Sequence, residues 1–116
     1  MLVVDDISVN RKVLGIHLWN LGVKDVRFAE NGVKALAEMK SWTPDLVLMD
    51  MWMPEMDGQQ LAEAMAADPR LAKVPLVAIT ADVEVENTHS VKRFAKILPK
   101  PVTTHRLQSL FRDLAG

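Results

Sequence analysis

Leu46-Val47-Leu48-Met49-Asp50 is an unbroken apolar run that stops at an acid. Successive side chains of a strand point to opposite faces, so four apolar residues in a row suit a strand covered on both sides, as in a parallel sheet. Three other runs end the same way: Leu2-Val3-Val4 in Asp5-Asp6, Leu76-Val77-Ala78-Ile79 in Thr80, and Ile97-Leu98-Pro99 in Lys100. Four buried strands therefore carry polar groups to one edge.

The segments between them read as helices and turns. Ser8 can cap a helix to about Leu21, with Val9, Val13, Ile16 and Leu14 or Leu21 at helical spacing and Gly22 as the stop. Val26 and Phe28 alternate with Arg27 as a short strand nearer the edge. Asn31 can then cap a helix carrying Val33, Leu36, Ala37 and Met39 on one face. Met51 to Gly58 reads as a loop, followed by a helix bearing Leu61, Ala64 and Met65 and closed by Asp68-Pro69. Val74 to Ile79 is a strand, Val83 to Ala95 a helix with early acids and late bases, and Lys96 to Leu98 a short strand. A last helix is capped by Thr103 or Thr104 and turns Leu107, Leu110, Phe111 and Leu114 inward.

Five strands alternating with five helices specify an α/β domain with a parallel sheet. At 116 residues the chain suits one domain, 1–116, with a single core. It is 49% hydrophobic with a net charge of −1, so it carries no electrostatic footprint for nucleic acid. No run approaches the roughly 18 apolar residues of a membrane span, and the N-terminus lacks the layout of a secretory signal. The absence of cysteine removes disulfide and thiolate chemistry and fits a cytoplasmic module.

In an open sheet of this kind ligands bind outside the carboxyl ends of the strands, where Asp5, Asp6, Asp50, Thr80 and Lys100 should gather. Three carboxylates brought together repel each other and need raised pKa values or a cation. Oxygen-only ligands favour magnesium, which binds at about 2.0–2.1 Å and keeps waters exchangeable for a phosphate oxygen. Lys100 adds a point charge and Thr80 a hydroxyl donor for the same phosphate. A carboxylate so placed can attack phosphorus and become an aspartyl phosphate. Taken singly, each acid reads as a helix cap or loop residue; their convergence is what carries the reading. Asp57 reads as a turn residue with Gly58. His17, His89 and His105 lie on separate helices without metal spacing. The methionines between Met49 and Met56, beside Trp52, read as an adaptable docking surface or, for at least half of them, as packing beneath the loop.

These residues resemble the receiver domains of two-component response regulators. Asp5-Asp6 resembles the acidic pair after the first strand, Asp50 with Met53-Pro54 and Asp57-Gly58 the phosphoacceptor loop, Thr80-Ala81 the switch hydroxyl, and Lys100-Pro101 the lysine. The spacings, 45 residues from Asp5 to Asp50, 30 to Thr80 and 20 more to Lys100, agree with the family pattern. The resemblance implies a doubly wound, flavodoxin-like fold with strand order 2-1-3-4-5. It also implies transfer of a phosphoryl group to Asp50 from a sensor histidine kinase or histidine phosphotransfer domain, with slow hydrolysis and no external substrate. Asp6, Asp50 and the Trp52 backbone carbonyl would bind magnesium directly, and Asp5 largely through water. Phosphorylation would draw Thr80 and Lys100 inward and shift the face made by the helix at 83–95, the fifth strand and the last helix.

Some positions depart from the pattern. Ile97 stands where an aromatic usually swings with the switch threonine, Ile7 replaces a residue usually polar, and Trp52 and Asp82 occupy the positions that tune access of water. The Trp52 ring is expected to shield the acyl phosphate. Ile97 and Trp52 motivate the alternative of a degenerate receiver that only binds protein. An aspartate-nucleophile phosphohydrolase would want an acid two places after its nucleophile, where Trp52 or Ile7 stands, and a cap domain. Asn10-Arg11 resembles receivers joined to hybrid histidine kinases. Because Met1 leads at once into the first strand, the chain reads as an excised domain or a lone receiver.

Overall fold

Three of the four apolar runs become strands buried on both faces, whereas Ile97-Leu98-Pro99 forms an edge strand in which only Leu98 is buried. The computed structural model describes residues 1–50, 58–80, 95–100 and 102–115. It contains the strands β1 (Leu2–Val4), β2 (Arg27–Ala29), β3 (Val47–Asp50), β4 (Leu76–Thr80) and β5 (Lys96–Pro99), joined in one parallel sheet of order β2-β1-β3-β4-β5. The described helices are α1 (Ser8–Asn20), α2 (Gly32–Glu38), α3 (Gly58–Ala66) and α4 (Thr104–Ala115). The helix expected from Val83 to Ala95 lies outside the described residues except for Ala95, whose N–H donates to the Leu76 carbonyl.

Alternation along each strand divides the core in two. Leu2 and Val4, Val47 and Met49, and Leu76 and Ala78 meet Ala35 and Met39 of α2 and Leu61, Ala62 and Met65 of α3 on one side. Val3, Leu48, Val77, Ile79 and Leu98 meet Leu14 and Leu18 of α1 and Leu107 and Leu110 of α4 on the other. Met49 is fully enclosed, in keeping with a packing role; Met51, Met53 and Met56 lie outside the described residues.

The helix ends follow local chemistry. Asn31 Oδ1 accepts from the Lys34 N–H at 2.8 Å, capping α2. Thr103 Oγ1 accepts from the Arg106 N–H at 3.1 Å, capping α4. At the end of α1 the Gly22 N–H donates to the Trp19 carbonyl and the Val23 N–H to the Leu18 carbonyl, the paired bonds of a Schellman motif. Gly22 takes the left-handed conformation this requires, at φ 87°.

Two expected helix faces differ from those observed. The α1 boundary residue is Ile7, and Ser8 makes no capping bond as the first residue of the helix. Val9, Val13 and Ile16 face solvent, while Leu14 and Leu18 turn inward. An apolar period marks a helix, but the sheet contacts only the stripe that β1 and β3 can reach. In α2, Val33 and Ala37 also face outward and Ala35, Leu36 and Met39 form the packed side.

Removing the Leu48 side chain from the covered middle of β3 is expected to cost about 2–5 kcal/mol, the range for large-to-small changes in a closed core. Ile16→Ala, on the exposed side of α1, is expected to stay within about 0.5 kcal/mol of the parent. Urea denaturation midpoints of the two variants measure the contrast.

Candidate functional site

Every strand of a parallel sheet ends at the same edge, and the register sets the level of each terminal residue. Val4 lies beside Met49, Asp50 beside Ile79, and Thr80 beside Pro99. Asp5, Asp50, Thr80 and Lys100 thereby come within about one residue of a common level. The chain passes from β1 out to β2 and returns to β3 on the opposite side of β1, so the crevice between β1 and β3 is the switch in winding direction where such folds bind ligands.

One carboxylate oxygen from each of Asp5, Asp6 and Asp50 lies within 4.8 Å of the others. Asp5 and Asp50 are only 3% and 5% exposed, and Asp6 faces solvent. Lys100 Nζ stands 3.4 Å from Asp50 Oδ2, at the long end of hydrogen-bonding reach. The lysine is held from its backbone: its N–H donates to the Thr80 carbonyl at 3.0 Å, and Thr80 itself is buried. The structure thus brings together Asp5, Asp6, Asp50, Thr80 and Lys100. Trp52, Asp57 and Asp82 lie outside the described residues.

Local bonds fix the acid pair. Asp5 Oδ1 accepts from the Ile7 N–H at 2.9 Å, and its carbonyl accepts from Arg11 Nη1 at 2.7 Å. Burial pushes the Asp5 carboxyl above its ordinary range, and the negative charge of Asp50 adds to that push. The Ile7 N–H, the Asn10 side chain and the Lys100 charge act in the opposite direction. Asn10 and Arg11, which the sequence offers only as a pair resembling receivers of hybrid histidine kinases, also bear on the site from about one turn beyond the acid pair. A cleft of about 420 Å³ opens beside these groups, walled by Asp5, Asn10, Val13, Ile79, Lys100 and Val102.

An all-oxygen donor set in mutual repulsion fits a hard divalent cation, whose charge would relieve the raised Asp5 carboxyl. His17 sits at a boundary position, its Nδ1 2.6 Å from Thr104 Oγ1 across α1 and α4, and His105 is exposed.

Buried acids at the ends of β1 and β3 and a lysine after β5 share one edge of an open parallel α/β sheet, and the chain belongs to the response regulator receiver domain family, whose pattern matches residues 1–112. It is 39% identical to the chemotaxis protein CheY1 of Helicobacter pylori over 83 residues, 71% of this chain and 67% of that protein. It is 30% identical over 112 residues to the signal transduction histidine-protein kinase BarA of Escherichia coli, covering 95% of this chain and 12% of the kinase. The receiver domain of the sensor histidine kinase PA1611 from Pseudomonas aeruginosa, solved with a magnesium ion in its active site cleft, superposes with a TM-score of 0.86 at 26% identity, over 97% of this chain and 93% of that one.

The raised Asp5 carboxyl has a stability consequence. The unfolded chain ionises Asp5 near 3.8 and the folded, metal-free chain only at higher pH, so folded stability falls as pH rises through that interval. Asp5→Asn keeps the acceptor for Ile7 and removes the charge. Without divalent ions it is expected to melt a few degrees above the parent at pH 7 and to lose that advantage below pH 3.8. Excess magnesium is expected to raise the parent's midpoint more than the variant's. Thermal melts across pH, with and without magnesium, read both effects.

Proposed function

We propose that residues 1–116 act as one phosphoacceptor signalling domain, taking a phosphoryl group onto Asp50 from a phosphohistidine of a sensor histidine kinase or histidine phosphotransfer domain in the cytoplasm. The observation that carries this reading is the geometry at Asp50. The carboxylate is buried at the end of β3, 3.4 Å from an ammonium and within 4.8 Å of two further acids.

A carboxylate oxygen of Asp50 forms the new bond to phosphorus as the bond to the donor imidazole nitrogen breaks, and the imidazole keeps the electron pair and takes a proton. Asp6, Asp50 and the backbone carbonyl of Trp52 would hold magnesium directly, with Asp5 acting through water. When bound, the ion offsets the negative charge that gathers as phosphate approaches carboxylate. Lys100 exchanges its long contact with Asp50 for a phosphoryl oxygen, and Thr80 donates its hydroxyl to another. Because the Lys100 N–H is bonded to the Thr80 carbonyl, the two residues move as one unit. Water later attacks phosphorus, releasing inorganic phosphate and restoring the Asp50 carboxylate.

Phosphorylation shifts the domain between two packings to the extent that the phosphoryl group contacts one better than the other. Ile97 is partly buried against the Ala78 side of the core, so the relay at that position works by aliphatic packing. Among the described residues no helix is long and apolar enough to cross a membrane.

Incubation with acetyl phosphate and magnesium is expected to add one phosphoryl group per chain at Asp50, visible by intact mass, and Asp50→Asn or chelation of magnesium should abolish it. Absence of labelling in the parent would leave the domain a protein-binding receiver. Trp52→Asn is expected to speed loss of the acyl phosphate about tenfold, as a barrier lower by roughly 1.4 kcal/mol gives, followed as phosphate release after the donor is removed.

A further inference from the structure

Helix α1 leaves more large apolar residues outside than inside: Leu14 and Leu18 are buried, whereas Val9, Val13, Ile16 and Trp19 are exposed. Part of this surface is organised into a groove. Ile16 and Trp19 of α1 and Phe28 of β2 line a furrow of about 570 Å³, with Gly15 at its base and Ser8, Arg11 and Lys12 along its wall. A Cβ at Gly15 would lie 3.1 Å from Phe28 Cζ, so the ring rests close against the helix backbone here. Trp19 is 62% exposed and Phe28 44%, so two aromatic rings stand in water beside one another on a β/α edge.

Three cations border this floor, and the acids of the adjoining furrow beyond Phe28, Glu30 and Glu38, are paired with Lys34 and Arg27. Arg11 and Lys12 line it, Lys24 Nζ lies 5.5 Å from the centre of the Trp19 ring, and no acid is among the lining residues. The groove opens on the other side of α1 from the acid cleft, and Arg11, whose Nη1 bonds the Asp5 carbonyl, is the link between them. The cleft takes Asn10, Val13 and Leu14 from α1, and the groove takes Ser8, Arg11, Lys12, Gly15, Ile16 and Trp19. At 3.6 residues per turn these two sets fall on opposite sides of the helix.

We propose that the α1/β2 groove docks an acidic amphipathic helix of a partner protein, its apolar stripe on Ile16, Trp19 and Phe28 and its carboxylates toward Arg11, Lys12 and Lys24. An apolar furrow matches the ridge of a helix laid in a groove, and aromatic and arginine side chains are the types that concentrate binding energy. A second copy fits poorly, since a two-fold contact through this patch would set the same cations against one another. A bilayer fits poorly too, because Phe28 and Gly15 form the floor of a furrow and a membrane surface grips residues that protrude.

The test titrates the full chain, labelled with nitrogen-15, with a synthetic helix of about 18 residues that has leucines on one stripe and glutamates elsewhere, and with its counterpart carrying lysines for glutamates. The glutamate helix is expected to give saturable amide shifts centred on Gly15, Ile16, Trp19 and Phe28, and to bind more tightly at lower salt. The lysine helix should not bind. Lys12→Glu with Lys24→Glu should reverse that preference, and Trp19→Ala should weaken binding at least about tenfold, as loss of a buried aromatic anchor does. Both substitutions should leave labelling of Asp50 by acetyl phosphate unchanged, which also shows that the variants are folded. Equal binding of both helices, binding of neither, or shifts centred elsewhere would overturn the proposal. So would a dimer in sedimentation that Trp19→Ala abolishes, or binding to phosphatidylserine vesicles without binding to the glutamate helix.

Discussion

Mutual repulsion among Asp5, Asp6 and Asp50 is the constraint around which this domain is arranged. The sheet forces it: β1 and β3 are neighbours in register, so acids that end both strands must converge. Burial makes the repulsion more severe, because Asp5 and Asp50 have little water to screen them. Partial relief comes from the Ile7 N–H, the Asn10 side chain and Lys100. The charge left unbalanced is what a hard divalent cation would offset, which is why this sheet edge fits such an ion.

The sheet was legible in the sequence because parallel strands covered on both faces leave continuous apolar runs, and because the residue ending each run differs so sharply from the run itself. That pattern located all of Asp5, Asp6, Asp50, Thr80 and Lys100. Strand order was less accessible: the alternation of strands and helices allows several windings, and family resemblance supplied the one observed. Asn31 and Thr103 were readable as caps because their side chains bond within one turn. The inward face of α1 was readable only in part, through Leu14 and Leu21. Val9, Val13 and Ile16 have the period of a core stripe, yet Leu14 and Leu18 occupy that place because they lie toward Val3 and Leu48. The contacts of Asn10 and Arg11 with Asp5 were not legible for a related reason, since a polar residue on a helix shows its use only when the neighbouring strand end is in view.

Ile97 bears on how a phosphorylation at Asp50, as proposed, would reach the surface. It sits in β5 beside Ala78, as its register with β4 requires, and it is partly buried against the α2 and α3 side of the core. A branched aliphatic side chain there has fewer wide excursions open to it than an exposed ring, since β-branching stiffens the first torsion. Motion started at Thr80 would reach the neighbouring surface through the backbone bond to Lys100 and through packing rather than through a swinging ring.

The two-sidedness of α1 bears on assembly. A helix with its side chains is about 10–12 Å across, so occupants of the cleft and of the groove would be held barely a helix width apart without competing for the same residues. If both belong to one polypeptide, a linker of modest length suffices to join them, and engagement of one raises the local concentration of the other into the millimolar range. A weak encounter at Asp50 could then be made selective by a surface that takes no part in the chemistry, leaving specificity free to change while the acid cluster stays as it is.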